Sequence, residues 1–328
     1  MRALSGYESA FVRMLGALGS PGGRRGSLLI LMYHRVLETT DPLLPTEPDA
    51  QRFAAEMDVV RSVGSVLPLS EAVERWKIGD LPPRALSITF DDGYANNLTV
   101  AARVLKERNL PATVFVATAY VGGGRMWNDT LIEAVRMAQD HIDLSDVRLP
   151  KLAVRSVAEK RAAIQTILGA LKYLPPDERS ARAEDIAARV GLPPQSLMMS
   201  EEQIRQLGSH GIEVGAHTVT HPILKSVPTE QARREIVESR STLQAIVQAP
   251  VTLFAYPNGG PNRDYDARHV ELVRAAGYSA AVSTAWGAVR AGTDRYQMPR
   301  LLPWDRGPLR YAARLLRVYW EPDAEAAT

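Results

Sequence analysis

Between Ser27 and Ser283, short apolar runs alternate with stretches of helical spacing, and short loops join them. Ser27–Tyr33, Leu86–Phe90, Ala112–Ala117, Ile212–Gly215, Val251–Tyr256 and Tyr278–Ser283 read as strands. The first is continuously apolar, which suits burial on both faces. Ala50–Val63, a stretch from Asn96 or Asn97 to Arg108, Thr229–Val247 and Asp264–Ala276 read as the intervening helices. Ser70 is expected to cap a further short helix through Trp76, and Ser200 to Gln203 form a capping box. This order predicts an α/β fold with a parallel sheet or barrel, in which functional groups collect at the C-terminal strand ends. His34, Asp91-Asp92, His217 with His221, and the Tyr256-Pro257-Asn258 turn all fall at such ends.

Those groups set the chemistry. Adjacent carboxylates repel and cannot both be buried unpaired, so a cation, a proton or a substrate is expected at Asp91-Asp92. An isolated Asp-Asp-Gly is equally a surface turn. A lone histidine pair four apart is more often ordinary surface or core histidine, and His34 alone is more often a satisfied strand-end residue. The constellation carries the weight. An aspartate with two neutral imidazoles suits Zn²⁺, with Co²⁺, Ni²⁺ or Fe²⁺ as alternatives, and three protein ligands leave a position open for water. Such a metal acidifies water and polarises a carbonyl. The second carboxylate can accept the proton of that water, and His34 is the free histidine to protonate a departing amine. Together these groups describe amide or ester hydrolysis. His141, His210 and His269 receive no role. Trp127, followed by Asn128 and Asp129, either walls a sugar site by stacking or packs a loop.

Other classes are set aside. The chain has no cysteine, which removes disulfides, thiolate zinc sites and cysteine nucleophiles. A net charge of only +2 gives no global basic field for nucleic acid. Gly122-Gly123-Gly124 lacks the following Lys-Ser/Thr of a phosphate loop. No apolar run is long enough to span a membrane, and no signal peptide is evident, so a cytoplasmic or membrane-peripheral location is expected, export remaining open. Residues 1–26 open with a short amphipathic helical stretch, Tyr7–Leu18, and read as a loosely packed N-terminal arm in preference to a membrane-surface helix, although Arg2, Arg13, Arg24 and Arg25 suit peripheral contact with an anionic membrane. Residues 27–308 form the expected catalytic domain, with a helical insert over about 128–199 carrying amphipathic stretches Ser156–Tyr173 and Asp177–Val190. Residues 309–328 are expected to be a C-terminal tail that opens with a helix.

Thr89-Phe90-Asp91-Asp92-Gly93-Tyr94 and His217-Thr218-Val219-Thr220-His221-Pro222 resemble the first two motifs of the family 4 carbohydrate esterases, the NodB-like polysaccharide deacetylases. The resemblance covers roughly residues 27–303. It implies a distorted, incomplete (β/α)7-type barrel, with Asp91 as general base, Asp92, His217 and His221 as metal ligands, and N-acetylated sugars as substrates. The family's third motif places an arginine before an aromatic-proline-tyrosine turn, and Phe254–Gly259 has none. The family's late leucine-x-histidine is also missing, since no histidine follows His269. Both departures fit a subgroup similar to the biofilm poly-N-acetylglucosamine deacetylases, in which the acid comes from a tyrosine-histidine pair, matched here by Tyr33-His34. By the same analogy the N–H of Asn258, in the turn begun by Tyr256, helps hold the oxyanion, and Arg300 replaces the arginine that orients Asp91. The implied activity is metal-dependent N-deacetylation of a sugar in an oligosaccharide, polysaccharide or lipid-linked precursor. A deformylase of lipid-linked aminosugars and a carbohydrate-binding protein without turnover are the alternatives.

Overall fold

The computed structural model describes residues 5–145, 150–302 and 307–328, so Arg2 lies outside the described residues. Helix α1 (Gly6–Gly19) precedes β1 (Leu28–Tyr33), α2 (Ala50–Val63), β2 (Ser65–Val66), α3 (Leu69–Ile78) and β3 (Ala85–Phe90). A π-helical turn at Asn97–Ala101 runs into α4 (Ala102–Lys106), and β4 (Ala112–Val116) follows. Then come α5 (Trp127–Met137), β5 (His141–Ile142), β6 (Leu152–Ala153), α6 (Val157–Leu171) and α7 (Pro176–Arg189). The chain returns through α8 (Glu201–Leu207), β7 (Ile212–Ala216), α9 (Thr229–Val247), β8 (Leu253–Ala255), α10 (Ala267–Ala275), β9 (Ala280–Trp286), β10 (Met298–Arg300) and α11 (Pro308–Arg317).

The strands run parallel in the order β1-β3-β4-β7-β8-β9-β10. β1 and β3 pair along their whole length, from Leu28 opposite Ala85 to Tyr33 opposite Phe90, so both chains leave the sheet at the same level. That register delivers His34 and Asp91 side by side. β3 pairs with β4 only through Thr89 and Phe90, while β2 covers Ala85 and Leu86. The first and last strands meet through a single parallel bridge, Leu31 to Leu301, so the barrel is nearly closed and keeps a seam. This is the distorted, incomplete barrel expected from the sequence. β2 and β10 are the strands that the pattern does not announce. β10 has three residues with Pro299 at its centre, too short and too poor in donors to read as a strand.

Burial on both faces explains the apolar β1 and leaves the polar residues of β3 needing partners. Thr89 Oγ1 donates to the Leu31 carbonyl at 2.7 Å, and Ser87 Oγ donates to the Leu67 carbonyl at 2.9 Å. Gly215 in β7 is required by close approach, because a Cβ there would meet the Phe115 ring at 2.4 Å. The Ser70 cap is not formed. Pro68 holds the cap position of α3, and Ser70 Oγ instead donates to Glu213, a partner far away in sequence.

α5, α6 and α7 pack over a second apolar cluster built on Leu131, Val135, Ile164, Ile167 and Ile186. The helical insert is present, and it also contains the short antiparallel ribbon β5–β6. Both terminal segments expected to be helical form helices, but the N-terminal one is docked where a loosely packed arm is expected. The first 26 residues include a docked helix, capped by Ser5 and Glu8, with Val12 buried in the main core. The expected C-terminal tail is likewise docked. Tyr311, Ala312 and Leu315 of α11 join that core, and the Ala327 N–H donates to Gln297 Oε1 at 2.6 Å. The cause is the amphipathic spacing of α11, which sets these residues opposite Arg310, Arg314 and Arg317. Leu315→Ala is therefore expected to cost about 2–5 kcal/mol of stability in urea unfolding. A loss within ~0.5 kcal/mol, as for a surface position, would show that α11 is not part of the core.

Candidate active site

Asp91 follows directly on β3, and its N–H donates to the Tyr33 carbonyl at 2.9 Å. Its carboxylate is buried and faces a buried arginine from the last strand. Arg300 Nη1 and Nη2 donate to Asp91 Oδ1 and Oδ2, each at 2.7 Å. The fork is itself fixed, with Nε donating to the Ser283 carbonyl at 2.9 Å and Nη1 also reaching Thr89 Oγ1 at 3.2 Å. Burial alone would push the Asp91 carboxyl up, but the Arg300 guanidinium outweighs it and holds the group well below the usual carboxylate range. Asp91 is thus an ionised, immobile carboxylate. A carboxylate has about four lone-pair sites and the fork takes two, which leaves acceptor capacity toward the cavity.

Asp92 has the opposite environment. It is buried with φ at 75°, a left-handed backbone that turns its side chain away from that of Asp91. Its Oδ1 lies 3.5 Å from His217 Nε2 and 3.4 Å from His221 Nε2, and among the described residues it has no hydrogen-bond donor. Burial, helped by repulsion from Asp91 and Asp129 and opposed by His34, pushes the Asp92 carboxyl up to about 7. Burial brings His217 down to about 4 and holds His221 well below its usual value, so both rings are neutral. The Nδ1 of His217 lies 2.8 Å from the Ala255 carbonyl, which keeps the proton there and turns the Nε2 lone pair toward Asp92. The three ligand atoms lie within 4.8 Å of one another. A neutral N, neutral N and orphaned carboxylate O fit a divalent cation, which would supply the positive charge that Asp92 lacks.

The loop carrying the histidines is held from outside. Glu235 of α9 accepts the Val219 and Thr220 N–H groups, both at 2.8 Å, and the Thr220 hydroxyl at 2.6 Å. Thr218 and His221 both take left-handed φ angles, and Thr218 Oγ1 accepts the His221 N–H at 3.1 Å. The strain of two such residues is offset by these bonds. His34 is partly exposed at the same cavity, and its carbonyl accepts from Asn97 Nδ2 at 2.9 Å. Burial would lower His34, yet the carboxylates of Asp92, Asp91 and Glu47 raise it above its ordinary value.

The cavity holds about 530 Å³ and brings together His34, Asp91, Asp92, His217, His221, Asn258 and Trp127. Asn258 has φ at 59° and its carbonyl accepts from Thr284 Oγ1 at 2.7 Å; among the described residues no acceptor takes its N–H. Tyr256 is not brought to this site. Its ring is buried in the core, stacked on Tyr265 at 3.9 Å, because the alternation continuing from β8 sets it on the side of Phe254, away from Leu253 and Ala255. Trp127 opens α5 and lines the cavity, but the Arg179 guanidinium lies 4.8 Å over its ring, so one face is already occupied. Nothing in the sequence ties Asn97, Asp129 or Glu235 to the contacts they make here. Asp129 is buried against Arg35 at 3.4 Å and Tyr94 at 3.0 Å, and burial pushes it up to about 6.

Residues 78–281 match the family model for polysaccharide deacetylase. The putative polysaccharide deacetylase YxkH of Bacillus subtilis is 25% identical over 276 residues, which are 84% of this chain and 70% of that protein. The Streptococcus pyogenes deacetylase PplD, solved in complex with acetate, matches with a TM-score of 0.60 at 17% identity, over 91% of this chain and 100% of that one. IcaB from Ammonifex degensii matches with a TM-score of 0.59 at 21% identity, over 90% and 98% of the two chains. At these identities the two structures speak for the fold.

The fork between Arg300 and Asp91 yields a stability test. Arg300→Leu leaves a buried carboxylate without its partner, an expected loss of roughly 3–5 kcal/mol in urea unfolding. Adding Asp91→Asn to that variant should recover part of the loss, because the orphaned charge is gone. A loss for Arg300→Leu below ~1 kcal/mol would mean that the pair behaves as a solvated one.

Proposed function

Because the chain belongs to the polysaccharide deacetylase family, hydrolases of carbon–nitrogen bonds, we propose that it removes the N-acetyl group from an N-acetylhexosamine in an oligosaccharide, polysaccharide or lipid-linked precursor. The observation that carries this reading is the pairing of two unlike carboxylates in one cavity. Asp91 is locked ionised by Arg300, while Asp92 lies open-handed beside two neutral imidazoles.

Asp92 Oδ1, His217 Nε2 and His221 Nε2 would hold the metal, for which this donor set favours Zn²⁺ over Co²⁺, Ni²⁺ or Fe²⁺. Bound there, it supplies a Lewis acid that polarises the acyl carbonyl and makes water acidic enough for a weak base. Asp91 is such a base, since Arg300 stabilises its charge. Its free lone pairs accept the proton of the attacking water, and the fork prevents it from swinging away. The N–H of Asn258 donates to the developing oxyanion. His34, whose pKa the surrounding carboxylates raise above its ordinary value against the effect of burial, gives its proton to the amine nitrogen as the carbon–nitrogen bond breaks.

Acetate release from an N-acetylglucosamine oligomer is the direct test, run on chelated and zinc-reloaded protein side by side. Acetate should disappear on chelation and return with zinc. Asp91→Asn should bind zinc yet lose about 10²–10⁴-fold in turnover. His34→Ala should be crippled on the amide and much less affected on an activated ester, whose leaving group needs no proton. Equal behaviour of His34→Ala and wild type on the amide would remove His34 from the acid role.

A peripheral membrane contact is part of the same proposal. Tyr7, Phe11, Met14 and Leu18 form one stripe along α1 and are between 55% and 92% exposed. Exposed Arg13, Arg24, Arg25 and Arg310 flank it in sequence or on the neighbouring helix, and the exposed Trp320 abuts Gly19. An apolar stripe with basic flanks suits an anionic bilayer surface. No helix among the described residues is long and apolar enough to cross a membrane. The protein should sediment with vesicles containing phosphatidylglycerol and not with phosphatidylcholine alone, and Phe11→Ser with Leu18→Ser should abolish the binding. Equal recovery with both vesicle types would remove the electrostatic part.

A further inference from the structure

The cavity wall opposite the strand ends is built by the helical insert, through Gln165, Leu168 and Lys172 beside α6 and Arg179 of α7. Two cations therefore face a site whose catalytic groups come from the barrel. Arg179 is only 2% exposed. Nearly every buried arginine is paired with a carboxylate, but among the described residues Arg179 has none within ion-pair distance. Its Nε has no partner, and its Nη atoms reach only the Lys172 and His221 carbonyls, both at a long 3.5 Å. Stacking on Trp127 fixes the plane of the guanidinium without neutralising it. Lys172 likewise has no carboxylate partner among the described residues, its Nζ lying 5.6 Å from the Tyr173 ring. A buried cation held planar and uncompensated is costly to the protein alone, and an anion entering the cavity would remove that cost. A planar fork beside a point charge is matched to a tetrahedral oxyanion, with two oxygens on the fork and a third on the ammonium.

We propose that the insert makes this enzyme selective for an N-acylated aminosugar that carries a phosphate, with Arg179 and Lys172 holding the phosphate oxygens while the barrel residues act on the acyl group. This rests on the deacetylase reading above. The phosphate can belong to a soluble glycosyl phosphate or to a lipid-linked sugar; the shared chemistry is a phosphoryl group attached to the acylated ring.

Zinc-loaded protein is given three substrates separately: a neutral N-acetylglucosamine oligomer, N-acetylglucosamine 1-phosphate, and prenyl-phosphate-linked N-acetylglucosamine in detergent micelles. At least one phosphorylated substrate should exceed the oligomer by about tenfold or more in kcat/KM, as expected for recognition by charge-assisted hydrogen bonds. Which of the two it is tells the soluble source from the lipid one. Lys172→Ala, at a half-buried position that folding tolerates, should collapse that ratio toward one. Arg179→Lys, which keeps the charge and loses the fork, should reduce it in part. Binding of N-acetylglucosamine 1-phosphate to chelated protein, followed by calorimetry, removes direct metal–phosphate contact and should weaken about tenfold in Lys172→Ala. Acetate released equally from all three substrates, with a ratio unmoved by Lys172→Ala, overturns the phosphate selectivity and leaves the deacetylase reading standing. Acetate from none of them, with zinc shown to be bound, overturns both.

Discussion

The fork between Arg300 and Asp91 is the contact on which the rest depends. It joins the last strand of the barrel to the strand that ends in Asp91, across a seam where the backbone offers one bridge between β1 and the chain after β10. Elsewhere the barrel is held by ladders of N–H and carbonyl groups. At the seam the Leu31–Leu301 bridge is joined by a charge pair, which is costly to bury and strongly destabilising to break once buried. The same two hydrogen bonds that tie β10 to the end of β3 set the protonation state and orientation of Asp91. Stability and chemistry are here one feature seen from two sides.

Environment, more than identity, separates the two aspartates. They are adjacent in sequence, yet a left-handed φ at Asp92 sends the side chains apart, one to an arginine and one to two imidazoles. One is thereby held ionised and the other is made to want a cation. The histidine loop reaches the same place by paying in backbone strain at Thr218 and His221, which Glu235 offsets from α9.

What was legible in the sequence follows from the range of the forces involved. Strand ends, the Asp pair and the His pair could be read because local alternation and spacing encode them. Arg300 could be assigned to Asp91 only by analogy, since the two lie on strands far apart in the chain and β10 is too short to show a pattern. Tyr256 was placed in the site because its turn is there, but the pleat continuing from β8 turns its ring into the core. Ser70 looked like a cap and instead serves Glu213, and both termini looked detached because their apolar faces find partners only in three dimensions. Asn97, Asp129, Glu235 and the insert's cations act through contacts that no local window contains.

The lateness of Arg300 has a consequence for how the molecule comes into being. A chain emerging from its N-terminus has made both motif stretches by Pro222, well before the arginine that one of them needs. Until residue 300 is added, Asp91 lacks the guanidinium that pairs with it in the folded chain. A fragment ending before residue 300 would carry both motif stretches and lack the partner of the Asp91 carboxylate.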